Sequence, residues 1–151
     1  MGEHRVEVEW EADGAFASGR YSRAHLWRFD GGAVVAGSSS PSVVPEPMSD
    51  GAAVDPEEAL VASVSSCHML WFLDLARRAG LDVASYRDPA VGTMGRDDRG
   101  RMAMARIVLR PEIVFAGHAP EPGALERLHD AAHQSCFIAN SLRTEVVVEP
   151  R

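Results

Sequence analysis

Residues 59–73 (ALVASVSSCHMLWFL) form an uncharged stretch that constrains the fold more than any other segment. The stretch follows Asp55-Pro56-Glu57-Glu58. Aspartate is a common N-cap, proline suits the first helical position, and glutamates favour the positive end of a helix dipole. Arg77, Arg78 and then Gly80 are typical of a helix C-terminus. The pattern therefore predicts a helix over residues 56–79.

The central part of this helix is apolar on every side rather than along one stripe. A helix of this kind must be surrounded by other apolar groups. One chain of 151 residues, with a modest sheet and one other helix, covers it poorly. We therefore expect a homodimer with this helix near its centre. The apolar residues concerned are Leu60, Val61, Val64, Leu70, Trp71, Phe72 and Leu73.

Length and charge narrow the class of protein. We expect a single domain over residues 1–151. The formal net charge of -7 argues against a nucleic-acid partner, which needs a basic surface. Residues 59–73 are shorter than the roughly 20 apolar residues that span a bilayer. Residues 1–7 lack the apolar core of a signal peptide. We therefore expect a soluble, cytoplasmic protein with no membrane partner.

The remaining segments indicate strands around a second helix. Strand-like alternation in residues 6–10, 21–29 and 33–37 predicts a β-meander. A polar turn near residues 95–100 separates residues 81–95 from 101–115, which predicts a hairpin. Residues 124–141 predict a second helix carrying Cys136 on one side, and residues 144–149 predict a final strand. The helices are segregated from antiparallel strands, so the expected fold class is α+β.

The chain has two cysteines, Cys67 and Cys136, one on each predicted helix. In a reducing cytosol such a pair indicates packing, a metal or transient redox chemistry. Burial would make Cys67 inert, so a nucleophilic Cys67 needs a cation from elsewhere in the sequence. The candidates are Arg20, Arg23 and Arg28 of the N-terminal strands, and Glu57 could hold such an arginine in place.

Residues 55–67 (DPEEALVASVSSC) resemble the signature of the OsmC/Ohr family of thiol-dependent hydroperoxide reductases. Residues 133–141 (HQSCFIANS) resemble the family's C-terminal helix with its second thiol. The resemblance covers nearly the whole chain. It implies an OsmC-like, intertwined α+β homodimer with antiparallel sheets, two main helices and sites at the subunit interface. The cysteine-bearing helix would be central.

The resemblance also implies residue roles. Cys67 takes the place of the peroxidatic thiol and Cys136 that of the resolving thiol. Glu57 corresponds to the family glutamate that pairs with an arginine, and Arg23 is the best match for that arginine. Arg20 is the alternative because it follows a glycine, as the arginine does in the Ohr branch. His68 after Cys67 and Phe137 after Cys136 depart from the common pattern, which indicates a separate subfamily.

Thiol chemistry then predicts a mechanism that needs no cofactor. Cys67 attacks a peroxide and becomes a sulfenic acid, which Cys136 converts to a disulfide. A dithiol reductant reopens the disulfide. An apolar lining would favour organic hydroperoxides over hydrogen peroxide. The residues expected to line the substrate site are Val64, Met69, Trp71, Phe72 and Phe137.

Two other interpretations of the same residues remain. His129, His133 and Cys136 share one helix face, and Cys67 with His68 would complete a zinc site. Helical histidines mostly face solvent, so we expect no metal, and we expect His68 to serve packing. Alternatively, the chain is a non-catalytic dimeric domain that binds a hydrophobic ligand or senses redox state through its thiols.

Overall fold

The computed structural model describes residues 2–151, and the chain divides into one compact unit up to Ala59 and another from Leu60 to Arg151. The fold is mixed α+β, as the sequence predicts, with largely antiparallel sheets and two main helices. The expectation of a single domain over residues 1–151 stays a prediction.

The first unit contains a three-stranded antiparallel meander. Its strands are β1 (Val6–Glu9), β2 (His25–Phe29) and β3 (Val34–Gly37), in the order β1-β2-β3. A single 3₁₀ turn, Phe16–Ser18, lies between β1 and β2. The meander is confirmed, although β2 begins at His25 rather than near residue 21. The amide of Arg23 instead donates a hydrogen bond to the carbonyl of Met48, 2.8 Å away in the following loop.

The first helix, α1 (Pro56–Arg78), begins and ends where the local signals place it. The Glu58 amide donates to Oδ1 of Asp55 at 2.7 Å, and the Asp55 amide donates to Oε2 of Glu58 at 3.1 Å. This reciprocal pair is a capping box. At the other end Gly80 has φ +77, and the Leu81 amide donates to the carbonyl of Ala76. The left-handed glycine closes the helix.

One face of α1 is buried and the rest is not. Val64, His68, Phe72 and Ala76 are the buried residues, spaced four apart. Leu70 is 61% exposed, so the described residues leave much of the apolar surface of α1 uncovered. By length and composition alone α1 could cross a membrane, which the shorter stretch 59–73 did not suggest. Its buried row nevertheless packs into a core of this chain.

The second unit contains five strands in two sheets, with β8 (Glu145–Val148) parallel to β6. In sequence order the other four are β4 (Val83–Arg87), β5 (Val91–Arg96), β6 (Met102–Leu109) and β7 (Glu112–Phe115). β5 pairs with β6, as the predicted hairpin requires, but β4 pairs with β7 in a separate sheet.

The predicted single hairpin is therefore divided in two. Pro89 and Pro111 interrupt both segments at this point, because proline has no amide hydrogen to give to a ladder. Asp88 connects the two interruptions by accepting from the Arg110 amide at 2.6 Å and from Oγ of Ser65 at 2.5 Å.

The predicted second helix is also divided. The structure has α2 (Pro122–Ser135) and a four-residue α3 (Phe137–Asn140), with Cys136 between them. Cys136 has an extended backbone (φ -69, ψ 105), and its sulfur accepts from the amide of Ala139 at 3.4 Å. The placement of Cys136 within a continuous helix is therefore wrong. The thiol caps α3, which replaces the hydrogen bonds that a continuous helix would supply.

Two hydrophobic clusters form the core of the second unit. The first joins Val64 to Ile107 and Leu109 of β6. The second joins Phe72 and Ala76 to Ala132 of α2. Because both clusters include residues of α1, they fix the part of this helix that carries Cys67 against β6 and α2.

Candidate active site

The two thiols lie side by side in the second unit, and neither is in a disulfide. Cys67 is half-buried on α1, whereas Cys136 is fully buried. Sγ of Cys136 is 4.0 Å from the carbonyl oxygen of Val64, one turn before Cys67. The structure thus brings together the two cysteines that the sequence separates by most of the second unit.

The surroundings make the two thiols chemically unequal. Burial and, to a smaller extent, the neighbouring Cys67 side chain raise the pKa of Cys136 to about 11, although the Ala139 amide acts in the opposite direction. Cys136 is therefore a protonated thiol at neutral pH. Since thiolates are the nucleophiles, the accessible Cys67 is the better candidate for the first attack. The peroxidatic role of Cys67 and the resolving role of Cys136 stay predictions.

An aromatic pair lies next to the thiols in sequence. Trp71 follows Cys67 by one helical turn, and Phe137 directly follows Cys136. Their rings meet edge to face, with centroids 5.4 Å apart and an interplanar angle of 88°. Phe137 is 68% exposed, so this pair offers apolar surface to a ligand.

The other residues expected to line the site are placed differently. Met69 is half-buried, but Val64 and Phe72 are fully buried, one in each core cluster. Their packing gives these two side chains a role in the core rather than on a surface that a substrate can reach. Periodicity did not separate these roles because the whole segment is apolar.

Three histidines, His68, His129 and His133, lie near one another in the second unit. His68 is fully buried and His129 is 2% exposed. Their rings stack with centroids 5.4 Å apart, and Nε2 of His68 lies 3.1 Å from Nδ1 of His129. The expectation that His129 faces solvent is wrong. It faces the core because α2 packs on the buried row of α1, where Phe72 stacks on it at 4.4 Å.

His68 and His129 are held neutral. Burial and, to a smaller extent, the nearby His129 and His133 lower the pKa of His68 to about 4. Burial also lowers the pKa of His129 to about 4, against the opposing charges of Asp130 and Asp88. Nδ1 of His68, Nε2 of His129 and Nδ1 of His133 are buried without a hydrogen-bond partner. Even so, residues 2–151 contain no group of three or more His, Cys, Asp or Glu side chains arranged to hold a metal ion.

The predicted arginine and glutamate lie together in the first unit. Arg23 and Glu57 line one cavity of about 440 Å³, along with Tyr21 and His25. The guanidinium of Arg23 lies over the Tyr21 ring, 3.6 Å from its centroid, and donates to the carbonyl of Tyr21 at 2.5 Å. Because Glu58 completes the capping box, Glu57 is not needed to cap α1.

Two details refine this assignment. Within the part of the chain that the structure describes, no ion pair joins Arg23 to Glu57, although they share the cavity. Arg20 is exposed and does not line that cavity. Arg28 pairs with Glu9 at 2.8 Å, as an ordinary surface cation does. The cavity therefore favours Arg23 over Arg20.

Sequence reasoning missed the cavity's aromatic wall and its histidine. Trp10, Phe16 and Tyr21 are in mutual contact, with ring centroids 4.9–5.7 Å apart. His25 hydrogen-bonds to Trp27 two residues later on β2. The alternation of His25 and Trp27 on one strand face was the available signal, since such residues share a side of the sheet.

Comparison with known proteins identifies the family and the fold. The model of a family described as OsmC-like protein matches residues 49–151. The chain belongs to the OsmC-like family. A structure of an OsmC-like protein of unknown function from Vibrio cholerae is 49% identical, with a TM-score of 0.97 over 100% of both chains. No curated protein matches the sequence significantly.

More distant members of known structure share the OsmC-like fold. The organic hydroperoxide resistance protein OhrB of Bacillus subtilis is 14% identical, with a TM-score of 0.70 over 99% of this chain and 98% of its own. An organic hydroperoxide resistance protein from Elizabethkingia anophelis, with thiocyanate bound, is 16% identical. Its TM-score is 0.69 over 99% of this chain and 95% of its own.

Proposed function

We propose that this protein is a thiol-dependent peroxidase that reduces organic hydroperoxides to alcohols. The observation that carries the proposal is the pairing of the half-buried Cys67 with the buried, protonated Cys136. Membership of the OsmC-like family supports it, as do structural neighbours named for organic hydroperoxide resistance. The proposed location is the cytoplasm, with neither nucleic acid nor membrane as a partner.

The proposed first step is the oxidation of Cys67. Its thiolate attacks the terminal oxygen of the hydroperoxide and the O–O bond breaks. The alkoxide takes up a proton and leaves as the alcohol, and Cys67 becomes a sulfenic acid. Two electrons pass from sulfur to the peroxide, so no cofactor is required.

The proposed second step uses Cys136. Its sulfur attacks the sulfenic sulfur of Cys67, and water leaves as the disulfide forms. Once Cys67 is a neutral sulfenic acid, the thiol that raises the pKa of Cys136 in the reduced protein is gone, which helps Cys136 to ionise. A dithiol reductant then restores both thiols and is itself oxidised to a disulfide.

Arg23 and Glu57 are assigned to the oxidation step. We infer that the Arg23 guanidinium stabilises the Cys67 thiolate and polarises the peroxide, while Glu57 keeps the guanidinium in place. Their shared cavity supports this pairing. Arg20, exposed and away from that cavity, is the weaker alternative.

The predicted homodimer belongs to the proposal. Several large apolar side chains of the chain are exposed, more than isolated surface residues require. A second copy that covers such residues would also shield α1. The exposed apolar side chains include Val8, Phe16, Leu70, Met94, Met102, Val114 and Phe137. Sedimentation equilibrium should give twice the mass of the chain, and a monomer at micromolar concentration would refute this part.

The central experiment measures peroxide consumption with dithiothreitol as the reductant. Wild type should consume cumene and tert-butyl hydroperoxide faster than hydrogen peroxide, because Met69, Trp71 and Phe137 offer an apolar lining. Cys67→Ser should abolish consumption. In Cys136→Ser, dimedone should trap Cys67 as a sulfenic acid after sub-stoichiometric peroxide. Equal rates for all three peroxides would contradict the proposal that an apolar lining favours organic hydroperoxides.

The same experiment separates the proposal from its main alternative. A non-catalytic domain that binds a hydrophobic ligand would show slow, unselective alkylation of Cys67 and no turnover. A redox sensor would form the Cys67–Cys136 disulfide once without sustained consumption in the presence of a dithiol.

A further inference from the structure

Arg23 has to hold a fixed position if it is to act in the proposed reaction, and its backbone is tied on both sides. Its amide donates to the carbonyl oxygen of Met48 at 2.8 Å. Its own carbonyl oxygen lies 2.7 Å from Nδ1 of His25. The second contact comes from a side chain that lines the same cavity as the guanidinium.

The hydrogen bonds of His25 determine its tautomer. Nε2 of His25 lies 2.7 Å from Nε1 of Trp27. An indole N–H can only donate, so Nε2 must accept. A carbonyl oxygen can only accept, so Nδ1 carries the proton and donates to Arg23. His25 is therefore a neutral imidazole with both nitrogens engaged, which leaves neither of them to exchange a proton with a substrate.

The hydrogen bond between His25 and Trp27 also depends on the residue opposite His25 in the sheet. His25 is in register with Gly37 of β3. A Cβ at position 37 would lie 2.6 Å from Nε2 of His25 and 2.8 Å from Nε1 of Trp27. No side chain fits there without displacing one ring, so the glycine makes room for this hydrogen bond. The hydrogen bond between His25 and Trp27 therefore depends on the glycine at position 37.

We propose that His25 is a positioning residue for Arg23 and that Trp27 holds it in the tautomer this task needs. The hydrogen-bonded chain runs from Trp27 through His25 to the Arg23 carbonyl and presets the guanidinium in its cavity. This inference rests on the function proposed above. It assigns His25 no contact with the reacting atoms. An effect on the rate is still expected, because misplacing a catalytic group by about 1 Å can cost about 100-fold in rate.

Three variants test the hydrogen-bonded chain from Trp27 through His25 to Arg23. His25→Leu removes both hydrogen bonds, whereas His25→Asn places an amide N–H near the position of Nδ1 and keeps the donor to Arg23. Trp27→Phe removes the donor that fixes the tautomer. His118→Leu, at an exposed histidine, is the matched control. The rate of Cys67 oxidation is measured with cumene hydroperoxide in a Cys136→Ser background, using dimedone labelling and mass spectrometry.

We expect His25→Leu to lower the second-order oxidation rate by about 100-fold and Trp27→Phe by about tenfold. His25→Asn should stay within about fivefold of wild type, and His118→Leu should match it. The pH at which iodoacetamide alkylation of Cys67 is half-maximal should move upward in His25→Leu, as in Arg23→Gln, and stay in place in His25→Asn. A purely structural role would not produce that pattern.

The proposal is overturned if folded His25→Leu oxidises at the wild-type rate, or if His25→Asn is as slow as His25→Leu. If His25→Leu does not fold, Trp27→Phe decides, and a wild-type rate in that variant overturns it. Failure of the proposed function looks different, because wild type itself would then consume no peroxide. The alkylation profiles would still show whether His25 acts through Arg23.

Discussion

Cys67 and His68 are consecutive residues of α1, yet they lie in opposite surroundings. His68 is fully buried in the row that packs into the core, and burial lowers its pKa to about 4. Cys67, about 100° further around the helix, is half-buried beside Cys136. One helix therefore carries a sealed imidazole and an accessible thiol at neighbouring positions.

The difference shows how burial sorts ionisable groups. Desolvation disfavours the charged form, so it removes the proton from His68 and keeps the proton on Cys136. Of the four groups in the two facing pairs, only Cys67 retains access to solvent. The reactive character of the site thus follows from which residue of each pair faces outward.

The largest expected effect concerns the two thiols. At pH 7 a pKa of about 11 leaves roughly one Cys136 in ten thousand ionised. We therefore expect iodoacetamide to label the half-buried Cys67 at least about 100-fold faster than the buried Cys136 in the native protein. Mass spectrometry of a labelling time course measures both rates.

Cys67→Ser provides the control for this comparison. It removes a neighbour that raises the pKa of Cys136, so labelling of Cys136 should accelerate while remaining limited by burial. Comparable labelling rates for the two thiols in folded wild type would contradict the inequality.

The next effect concerns pH and the imidazole pair. In the unfolded chain a histidine titrates near pH 6.5, but His68 and His129 titrate near 4 when folded. Between these values the unfolded state binds more protons, so the free energy of unfolding falls as pH falls from about 6.5 to about 4. The loss is roughly 3 kcal/mol for each ring and then levels off.

Urea unfolding at several pH values measures this dependence, with a His68→Leu/His129→Leu double variant as the comparison. That variant should lose much of the slope between pH 6.5 and 4. A wild-type free energy of unfolding that stays constant over this range would show that the two imidazoles are not shielded from solvent.

A smaller effect is expected from breaking the imidazole pair on one side. His68→Leu leaves Nδ1 of His129 buried without its partner, since the two rings meet through that atom at 3.1 Å. An orphaned buried polar atom costs about 1–3 kcal/mol. We therefore expect the double leucine variant to be about 1–2 kcal/mol more stable than the sum of the two single-variant losses predicts. Additive free energies would mean that the rings do not interact.

Local signals explain what the sequence alone could predict. Asp55 and Glu58 cap the start of α1, and Gly80 ends it, all within a few residues of the helix. Glu57 and Cys67 came from one motif with defined spacing, whereas Cys136 and Arg23 came from the family resemblance of other segments. These features need no knowledge of distant contacts.

The sequence predictions were wrong where contacts between residues distant in sequence determine the local structure. Asp88 connects to the Arg110 amide across 22 positions, which lets the predicted hairpin exchange partners near two prolines. His129 is buried because His68, 61 positions away, accommodates it. The break at Cys136 contains neither proline nor glycine, and its sulfur caps the helix that follows. Periodicity carries no record of such contacts.

The smallest expected effect concerns the aromatic pair beside the thiols. Phe137 is 68% exposed, so Phe137→Ala should change the free energy of unfolding by no more than about 1 kcal/mol. If its ring lines the substrate site, the preference for cumene hydroperoxide over hydrogen peroxide should fall by roughly tenfold, the worth of a modest apolar contact. The ratio of the two kcat/KM values measures it.

Val114→Ala is the matched control for this last prediction, because Val114 is similarly exposed on β7. It should leave the ratio of the two rates unchanged. An unchanged ratio in Phe137→Ala as well would remove Phe137 from the substrate site. The apolar preference would then have to come from Met69 or from the aromatic cavity around Arg23, and Trp10→Ala would be the variant that tests the second source.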